Sequence, residues 1–273
     1  MTIKMIATDI DGTLVNDDKR ITLRTLKAIK KARQKGVYIV LCTGRPVAGV
    51  MEYLTQLNLK SSDDYVITFN GAQAMNVKTH TVLFENGIKY EECLKFLKLS
   101  KKFKIKSQIV TNTSKIFVTE KDISKYSIED AFYTHMEIHY RPITELPHDI
   151  QGAKFMWVDD PLKIANAFPL ILSTIKDNYA ITWTAPWFLE FNNPLATKGH
   201  AVLELARKLR IERNEIMTIG DENNDLSMLE QVGLGIAMGN GNARVKERAR
   251  VVTNDNNHDG VGIAIEKYVL GKK

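Results

Sequence analysis

Apolar and polar positions alternate along this chain in two registers, short continuous runs and stretches with helical spacing. Ile3, Met5 and Ile6 predict a short buried strand that stops at Asp9-Ile10-Asp11-Gly12. Over 21–35, Leu23, Leu26, Ala28, Ile29 and Ala32 recur at helical spacing, with Thr22 as the N-cap and Gly36 as the stop. The run 37–42 is apolar throughout, as in a strand covered on both faces, and ends in Thr43-Gly44-Arg45-Pro46. A helix over 47–57 and a third strand over 65–69, ending in Asn70-Gly71, continue the alternation. Strand, helix, strand, helix, strand predicts a parallel sheet with right-handed crossovers.

The pattern then changes. Residues 72–77 and 81–84 read as a hairpin, and Glu85-Asn86-Gly87 as a linker. A helix over 90–103, strands over 107–111 and 115–119, and a helix over 123–135 follow. A strand over 155–158, a helix opened by Pro161, and strands over 179–184 and 188–191 complete this stretch. Asn192-Asn193-Pro194 reads as a return linker. Beyond it the α/β alternation resumes: Lys198-Gly199 before a helix over 201–209, a strand over 216–219 ending in Gly220-Asp221, and a helix over 224–232. Then come a strand over 234–238, a helix over 243–249, a strand over 251–252 and a last helix to 268. The expected fold class is α/β: a Rossmann-like parallel-sheet core, 1–84 plus 192–273, carrying an inserted α+β cap over 85–191.

The chain has 273 residues, enough for a core with a second inserted domain. Its 44% hydrophobic and 26% charged content is that of a globular chain, and no apolar run reaches the length of a membrane span. With no apolar leader between Met1 and Asp9, a cytoplasmic location without membrane association is expected. Cys42 and Cys93, in predicted core elements, read as buried free thiols, which fits a reducing compartment. The net charge of +6 admits nucleic-acid binding, attraction of small anions, or a merely solvated surface. The lysines 98, 101, 102, 104 and 106, with only Phe103 among them, read as a solvated helix end, so no nucleic-acid partner is expected.

Three strands end in groups that can do chemistry: Asp9 with Asp11, Thr43 with Gly44, and Asp221. In an open parallel sheet, ligands bind beyond the carboxyl ends of the strands, so residues from both ends of the chain should meet there. Two carboxylates at a buried strand end are costly unless a cation holds them. The turn at Gly12 lets both face one site suited to a hard divalent cation and a phosphoryl group. Asp9 would be nucleophile and metal ligand, and Asp11 would pass a proton to the leaving group and take one from water. Asp9, Asp11 and Asp221 would supply carboxylates to the metal, expected to be magnesium, with the Ile10 carbonyl freed at the strand end as a further ligand. Ile10 also falls with Thr43, Gly44 and Lys198 on the phosphate side, and the helix start after Lys198 favours an anion. Each group has a plain alternative. Asp is common in turns, Thr43-Gly44 can simply end a strand, Lys198 can be one solvated lysine among many, and Asn224 or Asp225 can cap a helix.

Taken together, Asp9-Ile-Asp-Gly-Thr-Leu14, Cys42-Thr-Gly-Arg45, Ala196-Thr-Lys-Gly199 and Gly220-Asp-Glu-Asn-Asn-Asp-Leu226 stand in the order of the haloacid dehalogenase motifs. An insert between the second and third motifs, together with Asn70-Gly71-Ala72 and Gly239-Asn240-Gly241, resembles the Cof-type branch. Lys121-Asp-Ile-Ser124, Ala185-Pro-Trp-Phe-Leu-Glu190 and Glu266-Lys-Tyr-Val-Leu270 resemble its YidA-type bacterial sugar phosphatases. The resemblance implies a type IIB-like cap and a magnesium-dependent phosphatase of small phosphorylated metabolites, sugar phosphates foremost, acting through an aspartyl-phosphate. It also implies that Asn224 joins the phosphate contacts. Ala196-Thr197 departs from the Val-Ser or Val-Asn common before the lysine. A phosphomutase or phosphotransferase would use the same intermediate, and a basic nucleic-acid-binding protein with a relic site is the alternative from another class. The cap is expected to close over the substrate, and the protein to be a monomer or homodimer. Three further signals are set aside. Gly233-Leu-Gly235-Ile-Ala-Met-Gly239 lacks the spacing of a dinucleotide fingerprint, and His135 and His139 lack that of a zinc site. Trp157, Trp183 and Trp187 read as sheet core.

Overall fold

The computed structural model describes residues 2–175 and 178–272. In chain order it runs β1 (Met5–Thr8), α1 (Leu23–Gln34), β2 (Tyr38–Cys42), α2 (Met51–Gln56), β3 (Tyr65–Thr68), β4 (Gln73–Asn76) and β5 (Val82–Glu85). It continues with α3 (Tyr90–Phe103), β6 (Ser107–Thr111), β7 (Lys115–Val118), α4 (Lys125–Thr134), β8 (Glu137–Tyr140), β9 (Gly152–Val158), α5 (Pro161–Ile175), β10 (Ala180–Ala185) and β11 (Phe188–Asn192). It closes with α6 (Lys198–Lys208), β12 (Ile216–Gly220), α7 (Leu226–Glu230), β13 (Leu234–Ala237), α8 (Ala243–Arg248), β14 (Val251–Val252) and α9 (Gly260–Tyr268).

Two compact units result. One comprises the chain up to Gly44, Val50–Glu85, and everything from Thr197 onward; the other comprises Asn86–Ala196 with Arg45–Gly49. The first is the expected α/β core. Its sheet has the order β14-β13-β12-β1-β2-β3-β4-β5, parallel through β3 and closed by the antiparallel pair β4 and β5. Both faces are covered, which is why its central strands are apolar throughout. Met5, Ala7, Val40 and Cys42 point to the side where α6 lays down Ala201, Val202 and Leu205. Ile6, Ile39 and Leu41 are buried on the alternate positions, and Ala28, Ile29 and Ala32 form the buried stripe of α1, which packs on α9. The Thr22 hydroxyl caps α1 by accepting from the Thr25 N–H.

The second unit has a sheet of order β10-β11-β9-β6-β7-β8, antiparallel except for β7 with β8. Phe155, Trp157, Ile109, Leu189 and Phe191 share one face of it and form a core with Cys93, Phe96 and Leu97 of α3 and Ile164 and Ile171 of α5. The Trp157 indole donates to Ser100 Oγ at 2.8 Å, so its one polar atom is paired where it is buried.

Several local expectations change. Strand β8 was not expected: Glu137-Ile-His-Tyr140 is half-exposed and polar, and only its parallel pairing with β7 makes it a strand. Lys198 does not precede its helix; it is the first residue of α6, behind the Thr197 N-cap. Of the three tryptophans, only Trp157 is core. Trp183 is 42% exposed, and Trp187 stacks on Tyr126 with ring centroids 5.4 Å apart. The helix over 47–57 opens as a tight turn at Val47–Val50, and that over 224–232 as a tight turn at Asn223–Asp225. Both cysteines are buried and unbridged.

Candidate active site

Strand register brings the chemistry together. β1 pairs with β12 as Thr8↔Ile219 and with β2 as Thr8↔Leu41, so the three strands end nearly level. The Asp9 N–H extends the ladder by donating to the Ile219 carbonyl at 3.0 Å. Asp9, Thr43 and Asp221 follow directly on these strand ends and all are buried. Lys198 and Asp225 are fully buried as well. The lysine lies between two carboxylates, with Nζ 2.7 Å from Asp9 Oδ1 and 2.6 Å from Asp225 Oδ1. Asp225 Oδ2 accepts the N–H groups of Asp221 and Glu222, at 2.9 and 3.0 Å. Both oxygens of Asp225 are thus spent on protein donors, and its work is to hold Lys198 and the loop after β12. Asp221 Oδ1 accepts the Thr13 hydroxyl at 2.6 Å.

Asp9, Asp221 and Asp225 form an acidic group whose ligand atoms lie within 4.8 Å of one another. Three carboxylates face one lysine, an excess of negative charge in a buried place. Burial pushes the Asp9 carboxyl up to about 7, with Asp225 adding to the shift and Lys198 opposing it. Burial likewise pushes Asp221 up to about 6, opposed by the Thr13 hydrogen bond. For Lys198, burial alone would favour the neutral amine; Asp225 and Asp9 outweigh it and hold the ammonium charged. The donor set, carboxylate oxygens around a site short of positive charge, fits a hard divalent cation.

The remaining expected residues are distributed as follows. Gly12 has φ +71°, and a Cβ there would sit 2.3 Å from Asp221 Oδ2, so only glycine lets the turn after β1 close against Asp221. Ile10 is buried, and its carbonyl accepts the Val15 N–H at 3.1 Å, which uses one of its two lone pairs. Asp11 lies outside the acidic group, half-exposed, with Oδ1 2.9 Å from Lys19 Nζ. Asn224 is exposed at the rim and donates to Asn70 Oδ1 at 3.0 Å. Gly44 lies beneath the Asn70 amide. Asp225, expected as a cap, does accept from the start of its own turn, but its bond to Lys198 was not foreseen. Nor were Thr13, Asn70, and Asn240, whose Nδ2 donates to the Gly12 carbonyl at 2.8 Å. The one signal in the sequence was their position inside or beside the motif strings.

Comparison with known proteins finds similarity along nearly the whole chain. A profile of haloacid dehalogenase-like hydrolases matches residues 6–265. YxeH, a candidate phosphatase of Bacillus subtilis, is 39% identical over 269 residues, spanning 98% of this chain and 99% of its own. The 5-amino-6-(5-phospho-D-ribitylamino)uracil phosphatase YcsE of the same organism is 30% identical over 270 residues, spanning 98% and 96%. A haloacid dehalogenase-like hydrolase structure from Bacteroides thetaiotaomicron is similar with a TM-score of 0.85 at 26% identity, covering 97% of this chain and 99% of its own. The HAD subclass IIB sugar phosphatase BT4131 is similar with a TM-score of 0.76 at 27% identity, covering 97% and 98%.

Proposed function

The chain belongs to the haloacid dehalogenase-like hydrolases and is a phosphomonoester hydrolase of that family, and from this premise we propose a magnesium-dependent phosphatase of small phosphorylated metabolites, sugar phosphates foremost, that carries the phosphoryl group on Asp9. The observation that carries this reading is the buried Lys198 ammonium shared by Asp9 and Asp225, with Asp221 in the same acidic group. In such a set Lys198 favours the ionised carboxylate nucleophile against the burial that opposes it, and a bound cation would supply the positive charge still missing beside an anionic phosphoryl group.

Asp9 and Asp221 would hold the magnesium ion, each having given Oδ1 to a protein side chain, with Asp225 as the anchor of Lys198. When bound, the ion supplies charge neutralisation between the carboxylates and the phosphoryl oxygens. An Asp9 oxygen attacks phosphorus, forming an O–P bond as the ester P–O bond breaks, and Asp11 protonates the departing alcohol oxygen. Asp11 then takes a proton from water as that water's oxygen attacks phosphorus. The Asp9 O–P bond breaks, leaving inorganic phosphate and a free carboxylate. Lys198 neutralises the phosphoryl charge throughout, and the Thr43 hydroxyl, Gly44 N–H and Asn224 amide donate to its oxygens. The half-exposure of Asp11 suits a group that meets both leaving group and water.

The names of the similar proteins cover a sugar phosphatase and a phosphoribityl pyrimidine phosphatase, which supports the class of small phosphorylated metabolites rather than one member. A net charge of +6 favours approach of such anions. Among the described residues no helix is long and apolar enough to cross a membrane. The test is phosphate release from a panel of phosphorylated metabolites, with and without magnesium and without a bisphosphate primer. Asp9→Asn should fold as the parent does and release no phosphate; magnesium-dependent release by that variant would remove Asp9 as nucleophile.

A further inference from the structure

Resting on the phosphatase reading, we propose that Asn70 is a positioning residue for the phosphoryl group: it turns the donor edge of the Asn224 amide inward and braces the Thr43-Gly44 turn. Four observations meet at this side chain. Its backbone N–H donates to the Thr43 carbonyl at 2.9 Å, as the Thr43 N–H donates to Ile67 at 3.0 Å, so the turn after β3 is stitched to the turn after β2. Its Oδ1 accepts from Asn224 Nδ2 at 3.0 Å, across the chain from β3 to the loop after β12. Its amide packs close to Gly44: a Cβ at position 44 would sit 3.1 Å from Oδ1 and 3.2 Å from Nδ2. And its backbone is left-handed, φ +55° and ψ 28°, between Phe69 at φ +52° and Gly71 at φ +100°.

Left-handed geometry is unfavourable for a residue with a Cβ, and here two such residues, Phe69 and Asn70, stand in sequence. Strain of this kind persists where the surroundings impose it, and it gathers at working sites. Asparagine tolerates the conformation better than most residues, but tolerance does not explain why its amide is committed to Asn224. The chemistry does. An Asn amide has an accepting edge and a donating edge, and only the donating edge suits a phosphoryl oxygen. With Asn70 Oδ1 accepting one Nδ2 hydrogen, Asn224 is fixed in the flip state in which its second Nδ2 hydrogen stays available. The same amide fills the space a Cβ at position 44 would take, so it packs against the glycine that follows Thr43. Asn70 therefore links two of the donor groups from separate strand ends.

The experiment separates this role from a merely structural one. Glycine accepts φ +55° freely, so Asn70→Gly removes the amide while keeping the turn, and its Tm should hold or rise. KM and the inhibition constant of inorganic phosphate should both rise about tenfold, the scale of one lost hydrogen bond to a charged group, with kcat changed by less. Asn224→Ala should cost its full factor in the parent and in Asn70→Asp, which keeps an acceptor for Nδ2, but little in Asn70→Gly. Unchanged KM and phosphate inhibition in Asn70→Gly, or an Asn224→Ala penalty the same in Asn70→Gly as in the parent, would overturn the assignment. Both outcomes are independent of the Asp9→Asn test, which reports on the nucleophile alone.

Discussion

Lys198 shows how much one residue's setting decides. A solvated lysine would contribute little, but this one is wholly buried and pays its desolvation through two carboxylates at hydrogen-bond distance. It cannot balance three. The surplus leaves Asp9 at about 7 and Asp221 at about 6, both raised chiefly by burial. The sign follows from linkage. Carboxyls whose folded pKa lies above the unfolded value bind protons more tightly when folded, so the metal-free protein loses this contribution as pH rises from about 4 to about 7. A divalent cation held by Asp9 and Asp221 would take the place of those protons and would bind best once they have left. Magnesium should therefore raise Tm more at pH 8 than at pH 5.5. At a concentration of 100 Kd, the gain at pH 8 should be worth about 2.7 kcal/mol. Thermal unfolding across that range checks it; an equal magnesium shift at both pH values would mean that Asp9 and Asp221 do not bind the ion.

Elements matter here through their ends. β1, β2 and β12 run out at the same level, and the groups that follow them need no long loops to meet. α6 does the complementary job from its first residue: the Thr197 hydroxyl accepts the His200 N–H at 3.2 Å, and Lys198 follows directly. One residue further on, the Gly199 N–H donates to Ser227 Oγ at 2.9 Å, tying α6 to α7. Loss of the cap by Thr197→Ala should cost about 1 kcal/mol. On a chain of this size that is about 2–4 °C of Tm. Turnover should fall with it, since the helix start carries Lys198, and Thr197→Ser should restore both. A Thr197→Ala protein with the parent Tm and rate would show that the cap does not hold the lysine.

At the scale of the whole molecule, each unit has a core of its own. The second is built from consecutive chain, Asn86–Ala196, apart from the short piece Arg45–Gly49, and its aromatic cluster of Phe96, Phe155, Trp157 and Phe191 comes entirely from that stretch. The fragment 86–196 should accordingly fold alone and melt cooperatively, followed by circular dichroism. A fragment without a cooperative transition would show that its core depends on the rest of the chain. The first unit is discontinuous: β1 must pair with β12 across the inserted stretch, so long-range contacts are needed before any part of the site exists.

Periodicity alone determined the α/β class, the order of nearly every element and the α+β insertion, because burying one face of a helix or both faces of a strand is a local demand on residue type. The helix over 90–103 and the strand over 107–111 recur in the structure with the same bounds for this reason. Motif order likewise led to Asp9, Thr43, Lys198 and Asp221 as a group. The tertiary structure decided the rest. A sequence cannot say which lysine loses its water, that Asp225 spends both oxygens on Lys198 and two backbone amides, that Asp11 faces Lys19 outside the acidic group, or that Asn70 meets Asn224. For Lys198 and for Asn70 the physical reason is distance along the chain: their partners Asp9 and Asn224 lie 189 and 154 positions away, and the sheet's register brings them together. Asp11 and Lys19 are only eight residues apart and exposed, and there the path of the turn after β1 decides the contact.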